Sequence, residues 1–220
     1  MGFVRGPHCF AQKKRPPTIV SALQSVTAVK AAENQLSRDF RYRSIFDFCN
    51  SICHEQTEKT QVCAGCHGAD GKPADKTIPN IWGQQAGYIY IELRDFKRGD
   101  RKSDIMQPIA ASMERGDMQA IAEYFSKKPW PDLGQPRAPK EIVDRASSVN
   151  RSVGCTACHL DHFQGDGTVP RLAGLSREYL EKTMTDFRTR ARGNNPGMSD
   201  LMLAISPDDI AALAQFLAGL

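Results

Sequence analysis

Two copies of one five-residue motif constrain this chain more than any other feature. Residues 63–67 read CAGCH, and residues 155–159, which begin 92 positions later, read CTACH. CxxCH is the pattern for covalent attachment of c-type haem, because its two thiols can add to the haem vinyl groups and its imidazole can bind the iron. A zinc site or a redox CxxC is the alternative, but zinc requires a second CxxC or an HxxxH pair at a set distance. Two copies therefore predict two covalently bound haem c groups.

The first 31 residues differ from the rest of the chain. They contain five basic residues and no acidic residue, and polar side chains interrupt the apolar stretch over residues 19–29. This composition is typical of a weak export signal with a small-residue cleavage site at residues 29–31, and the alternatives are a disordered basic tail or a misassigned start. Without this segment, 24 basic residues face 25 acidic ones, so the net charge changes from +4 to −1. Nucleic-acid binding therefore has no electrostatic support.

The rest of the chain is organised as two halves with matching landmarks. Helical periodicity recurs around both motifs, and the four prolines within residues 127–140 favour an extended connection because proline cannot continue a helix. We therefore predict an all-α fold of two tandem domains, each wrapped round one haem. The landmarks that repeat at an offset of 91 are Pro79 and Pro170, Tyr88 and Tyr179, Phe96 and Phe187, and Arg101 and Arg192.

These patterns also predict boundaries for the domains and helices. The leader or disordered basic segment is 1–31, the first domain is 44–128, the Pro-rich linker is 129–139 and the second domain is 140–220. The predicted helices cover about 44–60, 86–97, 110–125, 178–188 and 207–218, and a further helix begins near 140.

The spacing between histidine and methionine predicts the axial ligands of both irons. His67 and Met106 are 39 residues apart, and so are His159 and Met198. Met106 and Met198 are the only two methionines at equivalent positions in both halves. We therefore predict His67 and His159 as proximal ligands and Met106 and Met198 as distal ligands. Methionine ligation raises the reduction potential, and because it also fills the sixth position it favours a carrier over a catalyst. The competing methionines, which we expect in the core, are Met113 and Met202.

Paired arginines and tyrosines are candidates for contacts with the haem propionates. Arg101 and Arg192 follow equivalent helices, and a guanidinium matches a carboxylate in geometry and charge. The alternative for both is a solvated basic helix end. Tyr88 and Tyr179 could hydrogen-bond a propionate, but we expect them to pack.

A second cysteine pair precedes the first motif. Residues 49–54 read CNSICH, which resembles a haem motif lengthened by one residue. Only nine residues separate Cys53 from Cys63, too few to wrap a separate haem, so we expect Cys49 and Cys53 to be buried thiols or a disulfide. The unrepeated His54 and His162 are predicted to be surface histidines.

Four sequence runs resemble the dihaem cytochrome c4 family, and the resemblance covers about residues 44–220. They are CAGCHGADG, GQQAGYIYIELRDFKRGDR before Met106, PRLAGLSREYLEKTMTDFRTRAR before Met198, and the closing AALAQFLAGL. The resemblance implies two class I cytochrome c domains related by a pseudo-two-fold axis, with the haem propionate edges facing each other. Carried over residue by residue, it implies thioether bonds from Cys63, Cys66, Cys155 and Cys158, and axial pairs His67 with Met106 and His159 with Met198.

The same resemblance implies an electron carrier and not an enzyme. Such proteins work in the periplasm, commonly between a quinol-oxidising complex and a terminal oxidase, and are often loosely associated with the membrane. Beyond the first motif the chain has no apolar run near the roughly 18 residues of a membrane span, so we expect at most peripheral membrane contact. The alternatives are the cytochrome subunit of a flavocytochrome sulfide dehydrogenase and a dihaem peroxidase. The equal methionine spacing argues against the peroxidase.

Overall fold

Residues 59–220, the part of the chain that this computed structural model describes, contain helices and no β-strand. The all-α prediction is therefore confirmed for these residues. Residues 1–58, which include the predicted leader, Cys49, Cys53 and His54, lie outside the description. The helices are α1 (59–67), α2 (Ala86–Arg98), α3 (Met106–Ala111), α4 (Arg115–Ser126), α5 (Lys140–Val153), α6 (Thr156–His159), α7 (Arg177–Arg188), α8 (Pro196–Leu203) and α9 (Pro207–Ala218).

Short local signals set where these helices begin and end. Ser176, Asn195 and Ser206 cap α7, α8 and α9, and each side chain accepts a hydrogen bond from the backbone N–H three residues further on. Gly99 and Gly154 close α2 and α5 in the left-handed conformation, with φ of 80° and 78°. The predicted bounds of α2, α7 and α9 agree with the structure to within one residue.

Three other parts of the helix prediction were wrong. The chain is helical over 59–67, beyond the predicted helix end near residue 60. The helix predicted over 110–125 is two helices, because Glu114 and Asp117 form a capping box that starts α4 afresh. No helix was predicted over residues 196–203, where Asn195 and Pro196 initiate α8.

Each half of the described chain contains its own hydrophobic core. The first core draws its buried residues from 89–125 and the second from 146–218. Met113 and Met202 lie in these two cores, as predicted. Residues 59–220 form one compact unit, so the bounds of the two domains stay a prediction.

The segment between the two halves is anchored to the second core. Residues 129–139 contain neither helix nor strand. Trp130 packs against the second core, and the Gln135 side-chain amide donates to the backbone oxygens of Leu175 and Ala218 at 2.9 and 3.3 Å. The proline-rich connection therefore lies along the second half.

Within residues 59–220 no single helix is long and apolar enough to cross a membrane. Among these helices, α8 and α9 are long and apolar enough only when taken together, and they are bent by 118° at the break between them.

Residues 59–128 and 140–220, hereafter the first and second halves, meet closely beside α2. The Gln84 side-chain amide donates to the Arg171 oxygen at 3.0 Å and accepts from the Arg171 N–H at 2.8 Å. Gly87 faces Gly167 so closely that a Cβ on Gly87 would lie 2.6 Å from the Gly167 oxygen. This contact leaves no room for a larger side chain on α2 at that position.

We therefore expect Gly87→Ala to destabilise the protein by about 1–3 kcal/mol, because the new methyl group would push backbone against backbone. The matched control is Gly116→Ala in α4, where the new Cβ would have no neighbour within 4 Å. That substitution should be neutral or stabilise by up to about 1 kcal/mol through helix propensity. Urea unfolding followed by circular dichroism measures both changes, and equal stability of the two variants would contradict the close contact.

Candidate haem sites

The first CxxCH motif occupies the end of α1. Cys63 is half-buried against the first core, and its thiol donates to the Lys59 oxygen at 3.5 Å. Cys66 is exposed, and both cysteines are free. His67, the last residue of α1, is only 8% exposed. The end of α1 thus directs its histidine inward, with Cys63 beside the core and Cys66 at the surface.

The second motif has the same arrangement on a shorter helix. Cys155 is half-buried against the second core, Cys158 is exposed, and both are free. The Asn150 side chain accepts from the Thr156 N–H, the first N–H of α6, at 3.2 Å, and α6 ends at His159. His159 is 5% exposed.

Proline carbonyl groups orient both histidines. His67 Nδ1 lies 2.7 Å from the Pro79 oxygen, and His159 Nδ1 lies 3.0 Å from the Pro170 oxygen. A carbonyl oxygen only accepts, so each Nδ1 donates and each Nε2 keeps its lone pair for a metal. Burial lowers the pKa of both imidazoles, and the hydrogen bond to the carbonyl offsets this in part. Both rings are thereby held in the neutral form that binds iron.

This role of the prolines was not predicted. Pro79 and Pro170 were identified from the sequence as repeated landmarks and not as partners of the histidines. The signal was available, because each proline follows its CxxCH histidine by 12 or 11 residues.

Both predicted distal methionines lie at the start of a helix and beside the appropriate core. Met106 begins α3, and its N–H donates to the Ser103 hydroxyl at 3.1 Å. Met198 lies in the first turn of α8, and its N–H donates to the Asn195 side chain at 3.1 Å. Each methionine packs against the same core as the first cysteine of its own half. The fold therefore brings the first thiol and the thioether of each half to one core.

A buried indole in the first half fits a ligand with an acceptor oxygen. Among residues 59–220, Trp82 Nε1 is a buried side-chain polar atom without a hydrogen-bond partner. Trp82 packs against the first core, and Gly71 is so close that a Cβ there would lie 2.7 Å from the indole. A haem propionate oxygen is the kind of acceptor that this donor lacks.

The two repeated arginines lie where the halves meet, with Arg192 buried and Arg101 half-buried. Arg101 donates to Glu92 at 2.6 Å and to the Tyr179 hydroxyl at 3.3 Å. Arg192 donates to the same Glu92 at 2.6 Å and to the Tyr88 hydroxyl at 3.2 Å. The solvated helix end is therefore wrong for both arginines. Tyr179 packs in the second core, and each tyrosine accepts from the arginine of the other half. Pairing with propionates stays a prediction.

The charges at this junction favour anions. Arg101 and Arg192 face the single carboxylate of Glu92, while the neighbouring Asp95 is bound by Arg94 and Asn194. Buried guanidinium groups require compensation, and haem propionates would supply it. The thiols, the neutral imidazoles, the indole donor and this excess of positive charge all fit a haem in each half. Within the described part of the chain, no three His, Cys, Asp or Glu side chains are placed to hold a metal ion, as a structural zinc site requires.

Several known proteins are similar to this chain in sequence and in fold. The cytochrome c family model matches residues 56–128. The thiosulfate dehydrogenase electron acceptor of Stutzerimonas stutzeri (strain A1501) is 35% identical over 168 residues, which cover 71% of this chain and 78% of that protein. Cytochrome c4 of Azotobacter vinelandii is 31% identical over 184 residues, with coverage of 74% and 86%. The solved structure of reduced recombinant cytochrome c4 from Pseudomonas stutzeri has a TM-score of 0.68 and 28% identity, and the match covers 76% of this chain and 97% of that one.

The fold and the paired motifs define a tandem of class I cytochrome c domains, as the sequence predicted. The chain belongs to the cytochrome c4 family. It is a dihaem electron carrier with two covalently bound haem c groups, and it exchanges electrons with redox protein partners.

Proposed function

We propose that both haems are attached and closed by residues of their own half. The support is the repeated arrangement of a half-buried and an exposed cysteine, a histidine held by a proline carbonyl, and a methionine on the same core. Cys63 and Cys66 would form the first pair of thioether bonds, and Cys155 and Cys158 the second. The axial pairs would be His67 with Met106 and His159 with Met198.

This arrangement suits electron transfer without catalysis. When bound, each haem supplies an iron that takes up and gives back one electron. The imidazole and the thioether would close both faces of that iron, so no substrate could reach it, and a closed site reorganises little when its charge changes. The single observation that carries this proposal is the equivalence of the two halves, because the same ligand set recurs with the same anchors.

We infer that the protein works in the periplasm between a respiratory donor and a terminal acceptor. A quinol-oxidising complex is the donor that we propose, and a terminal oxidase is the acceptor. The support for the location is chemical, because covalent c-type attachment is made outside the bacterial cytoplasm. The near-neutral halves indicate that local patches, and not overall charge, guide the transient encounters with partners.

A second candidate is service as the electron acceptor or cytochrome subunit of a sulfur-compound dehydrogenase. The name of the Stutzerimonas stutzeri relative favours it, since that protein accepts electrons from thiosulfate dehydrogenase. A subunit of the flavocytochrome sulfide dehydrogenase type belongs to the same class. Stopped-flow reduction of the oxidised protein, by a quinol-oxidising complex and separately by thiosulfate dehydrogenase, compares the two donors. The faster donor identifies the function.

The first experiment is to titrate the reduced protein with carbon monoxide and to count haems by the pyridine haemochrome assay. We expect two haems per chain and no change in the visible spectrum, because methionine should occupy the sixth position of both irons. A shift in half of the haem would contradict this proposal. It would place an open iron in one half and favour the dihaem peroxidase alternative.

A further inference from the structure

One residue at the junction breaks the internal repeat. At the offset of 91, the second half repeats Tyr88 as Tyr179 and Arg101 as Arg192, whereas Glu92 is replaced by Thr183. The Thr183 hydroxyl accepts from Arg192 at 2.8 Å, so the position still contacts an arginine but carries no charge. Arg101 and Arg192, which occupy equivalent positions in the repeat, therefore share one carboxylate.

The Glu92 carboxylate bridges the two halves symmetrically. Its two oxygens accept from Arg101 and Arg192 at the same distance of 2.6 Å, one oxygen for each arginine. The Asn194 side-chain amide of the second half donates to the same two oxygens at 3.2 and 3.4 Å. Glu92 itself is 8% exposed and Arg192 is 6% exposed. The bridge is thus shielded from solvent and from salt.

Both guanidinium groups remain charged in this setting. Burial alone would lower the pKa of Arg101, but Tyr179 and Glu92 outweigh burial and raise that pKa above its ordinary value. The same balance, with Tyr88 and Glu92 opposing burial, raises the pKa of Arg192. Removal of the carboxylate would leave two buried positive charges with no protein anion between them. That loss is costly in a medium where charges are poorly screened.

We propose that Glu92 is a positioning residue that holds Arg101 and Arg192 on one carboxylate at the junction of the halves and lowers the reduction potentials of both haems. This inference rests on the proposed two-haem function. A buried negative charge disfavours the uptake of an electron nearby, and Glu92 directly contacts an arginine of each half. Loss of that charge should therefore ease reduction of both haems, whereas a charge confined to one half would affect mainly one.

The test compares Glu92→Gln with Thr183→Val in the full-length haem-loaded protein by spectroelectrochemical titration. Glu92→Gln keeps the shape and removes the charge, so we expect the equilibrium constant for reduction of each haem to rise about tenfold, equal to about 59 mV for one electron. Thr183→Val removes a hydrogen bond to the same Arg192 and no charge, so both potentials should stay near those of the wild type. Glu92→Asp keeps the charge, so both of its reduction potentials should lie close to those of the wild type.

Three outcomes decide the proposal. A rise of both potentials in Glu92→Gln, with rescue in Glu92→Asp, supports it. Unchanged potentials, or equal shifts in Glu92→Gln and Thr183→Val, would overturn it and leave Glu92 as a packing residue. If Glu92→Gln yields no folded protein, Glu92→Thr, which introduces the residue found at the equivalent position 183 and also removes the charge, is titrated in its place and judged by the same two outcomes. Haem counting and carbon monoxide addition on every variant separate the role of Glu92 from the proposed function. The proposed function fails only if the wild type lacks two closed haems.

Discussion

Met106→Ala is expected to open one of the two haems to carbon monoxide and to leave the other closed. The substitution would remove the thioether that we assign to the sixth position of the first iron, while Met198 would still close the second. Addition of carbon monoxide to the reduced variant should therefore change the spectrum of about half of the haem. The reduction potential of the first haem should also fall, because methionine ligation stabilises the reduced iron.

The control for this variant is Met113→Ala. Met113 is the methionine that competes with Met106 for this assignment, and it lies buried in the first core. Its truncation should cost about 2–5 kcal/mol in the free energy of unfolding, as for other buried methionines, and should not expose an iron. Carbon monoxide binding by Met113→Ala together with none by Met106→Ala would exchange the two assignments. Binding by neither variant would contradict a methionine ligand from this segment.

The sequence was most informative where one short spacing repeats. The two CxxCH motifs and the interval of 39 residues to Met106 and Met198 led directly to the two haems and to the class of fold. The sequence also contains local caps: Glu114 with Asp117 divides one predicted helix, and Asn195 starts α8, which was not predicted. These errors came from giving apolar periodicity more weight than the hydrogen bonds that start a helix.

The junction could not have been predicted in the same way. Glu92 and Arg192 are 100 residues apart in the chain, and only the packing of one half against the other brings them together. Arg101 and Arg192 were identified correctly as a repeated pair, but periodicity could not distinguish a solvated helix end from a buried ion pair. The replacement of Glu92 by Thr183 has physical meaning only once both arginines are known to share one carboxylate.

The double variant Cys155→Ala/Cys158→Ala is expected to lower the haem content from two per chain to one. Both thiols of the second motif would be lost, so no covalent bond could hold the second haem through a denaturing wash. His159 and Met198 would then lie beside the second core without the iron that we propose they share, and this half should lose stability because a bound cofactor stabilises only the folded state. The pyridine haemochrome assay on acid-acetone-extracted protein measures the loss, and the thermal unfolding curve should separate into two transitions.

The mirror variant Cys63→Ala/Cys66→Ala should also retain one haem, in the opposite half, which mass spectrometry of haem-bearing tryptic peptides would locate. Retention of both haems after extraction of either variant would contradict the assignment of the four cysteines.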